Sequence, residues 1–219
     1  MRRLLPRVFG SFAAALALSG CIKLDSDMKI AKDDTFSGSV IVALNAKAFE
    51  SLGMKKSELK KQMNDSLKTS PLPTGIKGAT KVYEKGDWIG TEAKIESAAL
   101  SLLPKLLSSA GSTASAVGGS GENTLKVTHV NGKFVVSGEM DLSSSSGSRE
   151  GTGKKGTPTT QSIEPDLSAL MAGFKPEIRI KLTFPGKVLS GSGKIDGKSI
   201  TWSPEMGKKT PLKAEAKDS

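Results

Sequence analysis

The chain has 219 residues (22.9 kDa), 37% of them hydrophobic, with 24 glycines and a formal charge of +10. One cysteine excludes a disulfide framework and any cysteine-rich metal site, and one histidine argues against histidine triads, paired-histidine zinc sites and bis-histidine haem ligation. The length fits one domain or two small ones, and the low apolar fraction puts part of the chain outside any core.

The first twenty residues read as a secretory signal peptide. Arg2, Arg3 and Arg7 form a basic leader, residues 8–18 are apolar and alanine-rich, and small residues follow. The apolar run is too short for a permanent span. Leu18-Ser19-Gly20-Cys21 fits the bacterial lipobox, in which a cysteine thiol takes a diacylglyceryl group and small residues before it admit the peptidase. Cys21 is therefore the expected lipidation site, carrying palmitate-type acyl chains and opening the mature chain. Loss of the three arginines lowers Lys+Arg from 32 to 29 against 22 acidic residues, leaving +7.

In the mature chain Ile22, Leu24, Met28 and Ile30 alternate with Lys23, Asp25, Asp27 and Lys29, a half-buried strand. A turn at Lys32-Asp33-Asp34 leads into a second, with Phe36, Val40, Val42 and Leu44. Residues 55–68 predict an amphipathic helix with Leu59, Met63 and Leu67 on one face and Lys56, Lys60 and Lys61 flanking it. Thr80 to Glu84 and Trp88 to Ile95 predict a hairpin around Lys85-Gly86-Asp87. Residues 97–108 predict a leucine-rich helix carrying Leu100, Leu103 and Leu107, with Pro104 kinking it or opening a new turn.

Residues 108–123 and 143–162 are Ser/Gly-rich with few large apolar groups, and are expected to be disordered insertions because burial cannot offset their ordering entropy. Between them, Asn131-Gly132 separates two alternating runs, the strongest short hairpin signal. Asp166 would cap a short helix reaching Phe174. Ile178, Ile180, Leu182 and Phe184 form a further strand, and Asp196-Gly197 a last hairpin ending at Trp202. Residues 205–219 are expected to be a disordered tail. The expected fold class is α+β: one domain over residues 21–204, an antiparallel sheet of hairpins with two to three helices packed on it.

Catalytic patterns are decoys. Gly197-Lys198-Ser199 resembles the end of a phosphate-binding loop, but residue 192 is Ser, and the segment falls in a hairpin. Gly191-Ser192-Gly193 lacks the spacing of a nucleophile elbow. His129 shares a strand face with Leu125 and Val127, where a partly buried structural histidine is the commoner reading. The carboxylates stand singly or beside lysines. No catalytic residue, cofactor or metal site is assigned, and no enzyme activity is expected. Nucleic acid fits poorly with an exported chain whose basic residues lack interleaved aromatics.

Two apolar or basic features could serve a lipid. Leu100, Leu103 and Leu107 either pack as core, the commoner case, or wall a cavity for acyl chains. Lys56, Lys60 and Lys61 present a solvated face or rest on anionic headgroups.

Cys21-Ile22-Lys23-Leu24-Asp25, Asp33-Asp34-Thr35-Phe36-Ser37-Gly38, Phe184-Pro185-Gly186-Lys187-Val188, Gly193, Asp196-Gly197 and Thr201-Trp202, in that order, resemble the LppM family of actinobacterial lipoproteins. The resemblance covers both ends of the domain. It implies an α/β module at the outer face of the cell membrane that handles phosphatidylinositol-derived glycolipids. Some members carry a C-terminal transmembrane segment, and no such segment is seen in this sequence. The expectation is thus a cell-envelope lipoprotein whose partners are the membrane, through its N-terminal lipid, and an anionic phospholipid or glycolipid. The alternative is a structural or protein-interaction lipoprotein without a small ligand.

Overall fold

The computed structural model describes residues 22–50, 53–69, 72–107, 124–142, 177–205 and 208–219. Strand β1 (Ile22–Ile30) alternates as its sequence predicts: Ile22, Leu24, Met28 and Ile30 point inward, and the charged residues between them point out. It pairs antiparallel with β2 (Thr35–Asn45), in the register Ile22 with Leu44 and Ile30 with Phe36. Two short helices follow, α1 (Ala46–Glu50) and α2 (Lys56–Thr69). The hairpin of β3 (Lys77–Lys85) and β4 (Trp88–Ala99) adds to the far side of β2.

A second hairpin, β5 (Thr124–Val130) and β6 (Lys133–Asp141), turns at Asn131 and Gly132, both at positive φ (53° and 70°) as a type I′ turn requires. Strands β7 (Glu177–Thr183), β8 (Val188–Gly191), β9 (Lys194–Asp196), β10 (Ser199–Trp202), β11 (Lys209–Pro211) and β12 (Ala214–Lys217) complete the described chain.

The strands form two sheets. The larger has seven, in the order β3-β4-β2-β1-β7-β10-β9; in the other, β6 lies between β5 and the collinear pair β11 and β12, with β8 beyond β12. Inward residues of both sheets share one core. Leu24, Met28, Phe36, Ile180, Leu182 and Trp202 of the large sheet meet Phe134, Val136, Met140, Val188, Ala214 and Ala216 of the small one. A satellite cluster of Ala46, Ala48, Phe49, Leu59 and Ile89 buries the helices on the same sheet face, at the end where β1 begins.

Several expectations change. The architecture is mostly β in two sheets rather than one antiparallel sheet carrying helices, and β1 and β7 run parallel. The expected leucine helix starts late: residues 97–99 complete β4, Leu100–Leu102 form a 3-10 turn, and only residues 103–107 are α-helical. Past a bulge at Glu96, Ala98 is inward again and pairs with Phe36, so the ladder outlasts the helical pattern. The tail after Pro204 is not free, since β11 and β12 pair with β6, and β12 also pairs with β8. The two Ser/Gly-rich insertions, the helix expected at 166–174, the leader and Cys21 lie outside the described residues.

Two positions show how tightly the large sheet is built. β4 bulges at Glu96, next to the pairing of Ile95 with Gly38, whose φ is 144°. A Cβ at Gly38 would stand 2.1 Å from the Asp27 carbonyl oxygen, so only glycine fits. Ser26 sits inward in the middle of β1, fully buried, and its hydroxyl has no hydrogen-bond partner among the described residues. Replacing Ser26 with alanine is expected to raise folding stability by about 1 kcal/mol, because an unsatisfied buried hydroxyl carries a desolvation penalty of about 1–3 kcal/mol. Urea unfolding checks this; a lower midpoint for the variant would show that the hydroxyl has a partner after all.

Candidate functional site

The amphipathic helix forms where its sequence predicts it. Glu58 accepts a hydrogen bond from the Lys55 backbone N–H (3.3 Å) at its start, and Leu59 is buried beneath it. Lys56 and Lys60, one turn apart, both reach Glu84 on β3, at 3.1 and 2.7 Å, and the Lys56 ammonium also donates to the Gly86 carbonyl at 3.1 Å. Hydrogen bonding from Lys60, then from Lys56, holds the Glu84 carboxyl below the ordinary glutamate range. The stabilisation this contributes is present above the unfolded-state value and is lost as pH falls through the depressed folded-state value. Lys61 is exposed. Two of the three candidate headgroup lysines are thus already engaged within the domain, on an exposed surface.

Leu100, Leu103 and Leu107 are buried, at 5, 0 and 7% exposure, and belong to the shared core. A cavity of about 20 Å³ touches Leu107 together with Leu125, Met140, Ile180 and Leu212, with Thr124 and Glu139 at its polar side. That volume suits about one water, whereas pockets for drug-sized ligands measure about 300–1,000 Å³.

The larger concavity lies elsewhere. A shallow groove of about 480 Å³ crosses the small sheet, lined by Val135, Val136 and Ser137 of β6, Ser190 to Ser192, and Lys213 to Glu215. It exists because β8 and β12 carry small residues there: Gly191 opposes Ala214, and a register shift beside Glu215 sets Leu189 outward. Val135 and Leu189, both about 40% exposed, give this sheet face an apolar character. Ser192 holds the groove wall. Its hydroxyl donates to the Pro211 carbonyl (2.6 Å) and accepts from the Trp202 indole N–H and the Lys213 backbone N–H, each at 3.0 Å. Nothing in the Gly-Ser-Gly sequence pattern signals this role, since such a segment reads as a turn.

His129 is a tie between the ends of the two sheets. Its ring stacks on Phe134 with centroids 4.0 Å apart, and its Nδ1–H donates to Asp34 Oδ1 at 2.7 Å. Asp34 belongs to the β1–β2 turn of the large sheet, and Asp218, 3.6 Å from Nε2, follows β12. Asp25 and Asp27 of β1 pair across the outer face with Arg179 and Lys181 of β7, at 2.7 and 3.3 Å. Among the described residues no three or more His, Cys, Asp or Glu side chains are placed to hold a metal ion, and no helix is long and apolar enough to cross a membrane.

Known proteins give two matches to set beside this geometry. The NMR structure of the folded domain of Mycobacterium tuberculosis LppM superposes with a TM-score of 0.56 and 17% identity, over 90% of each chain, a likeness of fold. No curated protein matches the chain. The LppM domain family matches residues 23–218, from the second residue of β1 to the residue after β12. The chain therefore belongs to the LppM domain family.

Proposed function

We propose that this chain is a lipid-anchored protein of the cell envelope, held by Cys21 at the outer face of the cytoplasmic membrane, that binds a lipid or glycolipid of phosphatidylinositol type without catalysing a reaction. The observation that carries the reading is the lipobox Leu18-Ser19-Gly20-Cys21, which ends one residue before β1. The ligand surface is the groove on the small sheet rather than the space beneath the leucine segment. Its volume falls in the range of ligand sites, and its lining combines Val135 with Ser137, Ser190 and Lys213, beside Glu215, whose carboxylate is paired with Lys133. Such a lining suits a sugar or inositol ring: apolar contact for the ring face, hydroxyl partners for its edge, and a cation for phosphate.

A specific observation favours the second reading, a structural or protein-interaction lipoprotein. The leucines are packed, with only about 20 Å³ left beside Leu107. Native mass spectrometry of the soluble Cys21→Ser protein with added phosphatidylinositol glycolipid separates the two. Lipid adducts that weaken at least tenfold in Ser190→Trp support the groove. Adducts that Ser190→Trp leaves unchanged displace the site, and their complete absence favours the second reading.

A further inference from the structure

We propose that the domain stands end-on, with the edge of the large sheet where β1 begins seated on the lipid headgroups. The inference rests on lipidation of Cys21 and adds what that anchor does to the fold. Cys21 is joined directly to Ile22, the first residue of β1, and one residue spans at most about 3.6 Å. A long linker would let the body tumble above the bilayer. Here the first row of the sheet lies within one residue of the acylated sulfur, so that edge meets the headgroup layer.

The strand register identifies the side chains there. Ile22 aligns with Leu44, Leu44 with Ile89, and Ile89 with Glu84. One row further toward the chain start lie Asn45, Trp88 and Lys85, followed by α1, which Asn45 caps by accepting the Lys47 N–H at 3.1 Å. Trp88 and Lys85 therefore project beyond Ile22 on the anchor side. Trp88 is half-buried, and the Lys23 ammonium lies 5.5 Å from the centroid of its ring. An indole beside an ammonium is suited to the boundary between acyl chains and phosphates. Three carboxylates of this edge are paired with lysines, Glu177 with Lys23, Asp87 with Lys47, and Glu84 with Lys56 and Lys60, while Glu50 at the end of α1 is exposed near Lys47.

The opposite end lies about 26 Å away, eight steps of about 3.3 Å along the nine residues of β1. It carries the Pro185-Gly186 turn, where the Gly186 N–H donates to the Lys217 carbonyl, and the exposed Lys187.

The test uses the full lipidated chain in vesicles of phosphatidylglycerol and phosphatidylcholine. Lipidation blocks the thiol of Cys21, so an introduced cysteine is the single labelling site. Nitroxides at Lys85→Cys and, as a second probe of the same edge, Lys47→Cys are compared with one at Lys187→Cys, using a water-soluble nickel relaxant. The expected result is at least a threefold lower nickel accessibility at 85 and 47 than at 187. Equal accessibility at all three, in protein whose mass shows lipid on Cys21, overturns the end-on placement and leaves the anchor standing. A mass without lipid overturns the anchor and the placement together.

Discussion

Replacing Trp202 with alanine is expected to lower folding stability by about 3–5 kcal/mol, the range for truncating a buried aromatic residue. At about 2–4 °C per kcal/mol for a domain of this size, the melting temperature falls by roughly 6–20 °C. Trp202 is 2% exposed, aligns with Ile180 across the β10–β7 ladder, and belongs to the core shared by both sheets. Its indole N–H also donates to Ser192, whose hydroxyl holds the segment between β11 and β12. The loss is therefore a cavity in the core together with a cut tie between the sheets. Trp202→Phe keeps most of the apolar area and loses the N–H, so it should cost about 1–2 kcal/mol. Chemical unfolding followed by circular dichroism measures both. A Trp202→Ala loss below about 1 kcal/mol would contradict a core shared between the sheets.

What the sequence made legible follows from where its side chains are large and alternate. β1, β2 and β7 announce themselves through alternating Ile, Leu, Met, Phe and Val, interrupted only at Ser26 and Gly38, and Asn131-Gly132 marks its turn by backbone chemistry alone. β12 was hidden because its inward residues are Ala214 and Ala216, too small to show periodicity and weak strand formers. Within five residues α1 holds little periodic signal, and its helix is stabilised by tertiary burial of Phe49.

The parallel pairing of β1 with β7 joins residues 154 apart in the chain, as in Asp25 with Arg179, and single-strand periodicity carries no information about partners. The lysine helix was legible as an element, through the spacing of Leu59 and Met63, but the pairing of Lys56 and Lys60 with Glu84 was not. The groove was illegible, because it depends on Gly191, Ala214 and a register shift rather than on any motif.

Replacing Cys21 with serine is expected to move the protein out of the membrane fraction or to leave it carrying its leader. Each buried methylene contributes about 0.8 kcal/mol, so two or three acyl chains hold a protein stably where a single chain is marginal. The remaining attraction would be electrostatic, from the +7 carried by residues 21–219, and is screened over about 8–10 Å at physiological salt. A high-salt wash therefore separates the two contributions. The most direct measurement is the intact mass of the protein extracted by detergent from salt-washed membranes, for the wild type and for Cys21→Ser. The expected wild-type mass is that of residues 21–219 plus a diacylglyceryl-based modification on Cys21, with Cys21→Ser absent from the washed membranes or heavier by its uncleaved leader. A wild-type mass without lipid, or a Cys21→Ser protein retained at an unchanged polypeptide mass, would contradict the lipid anchor.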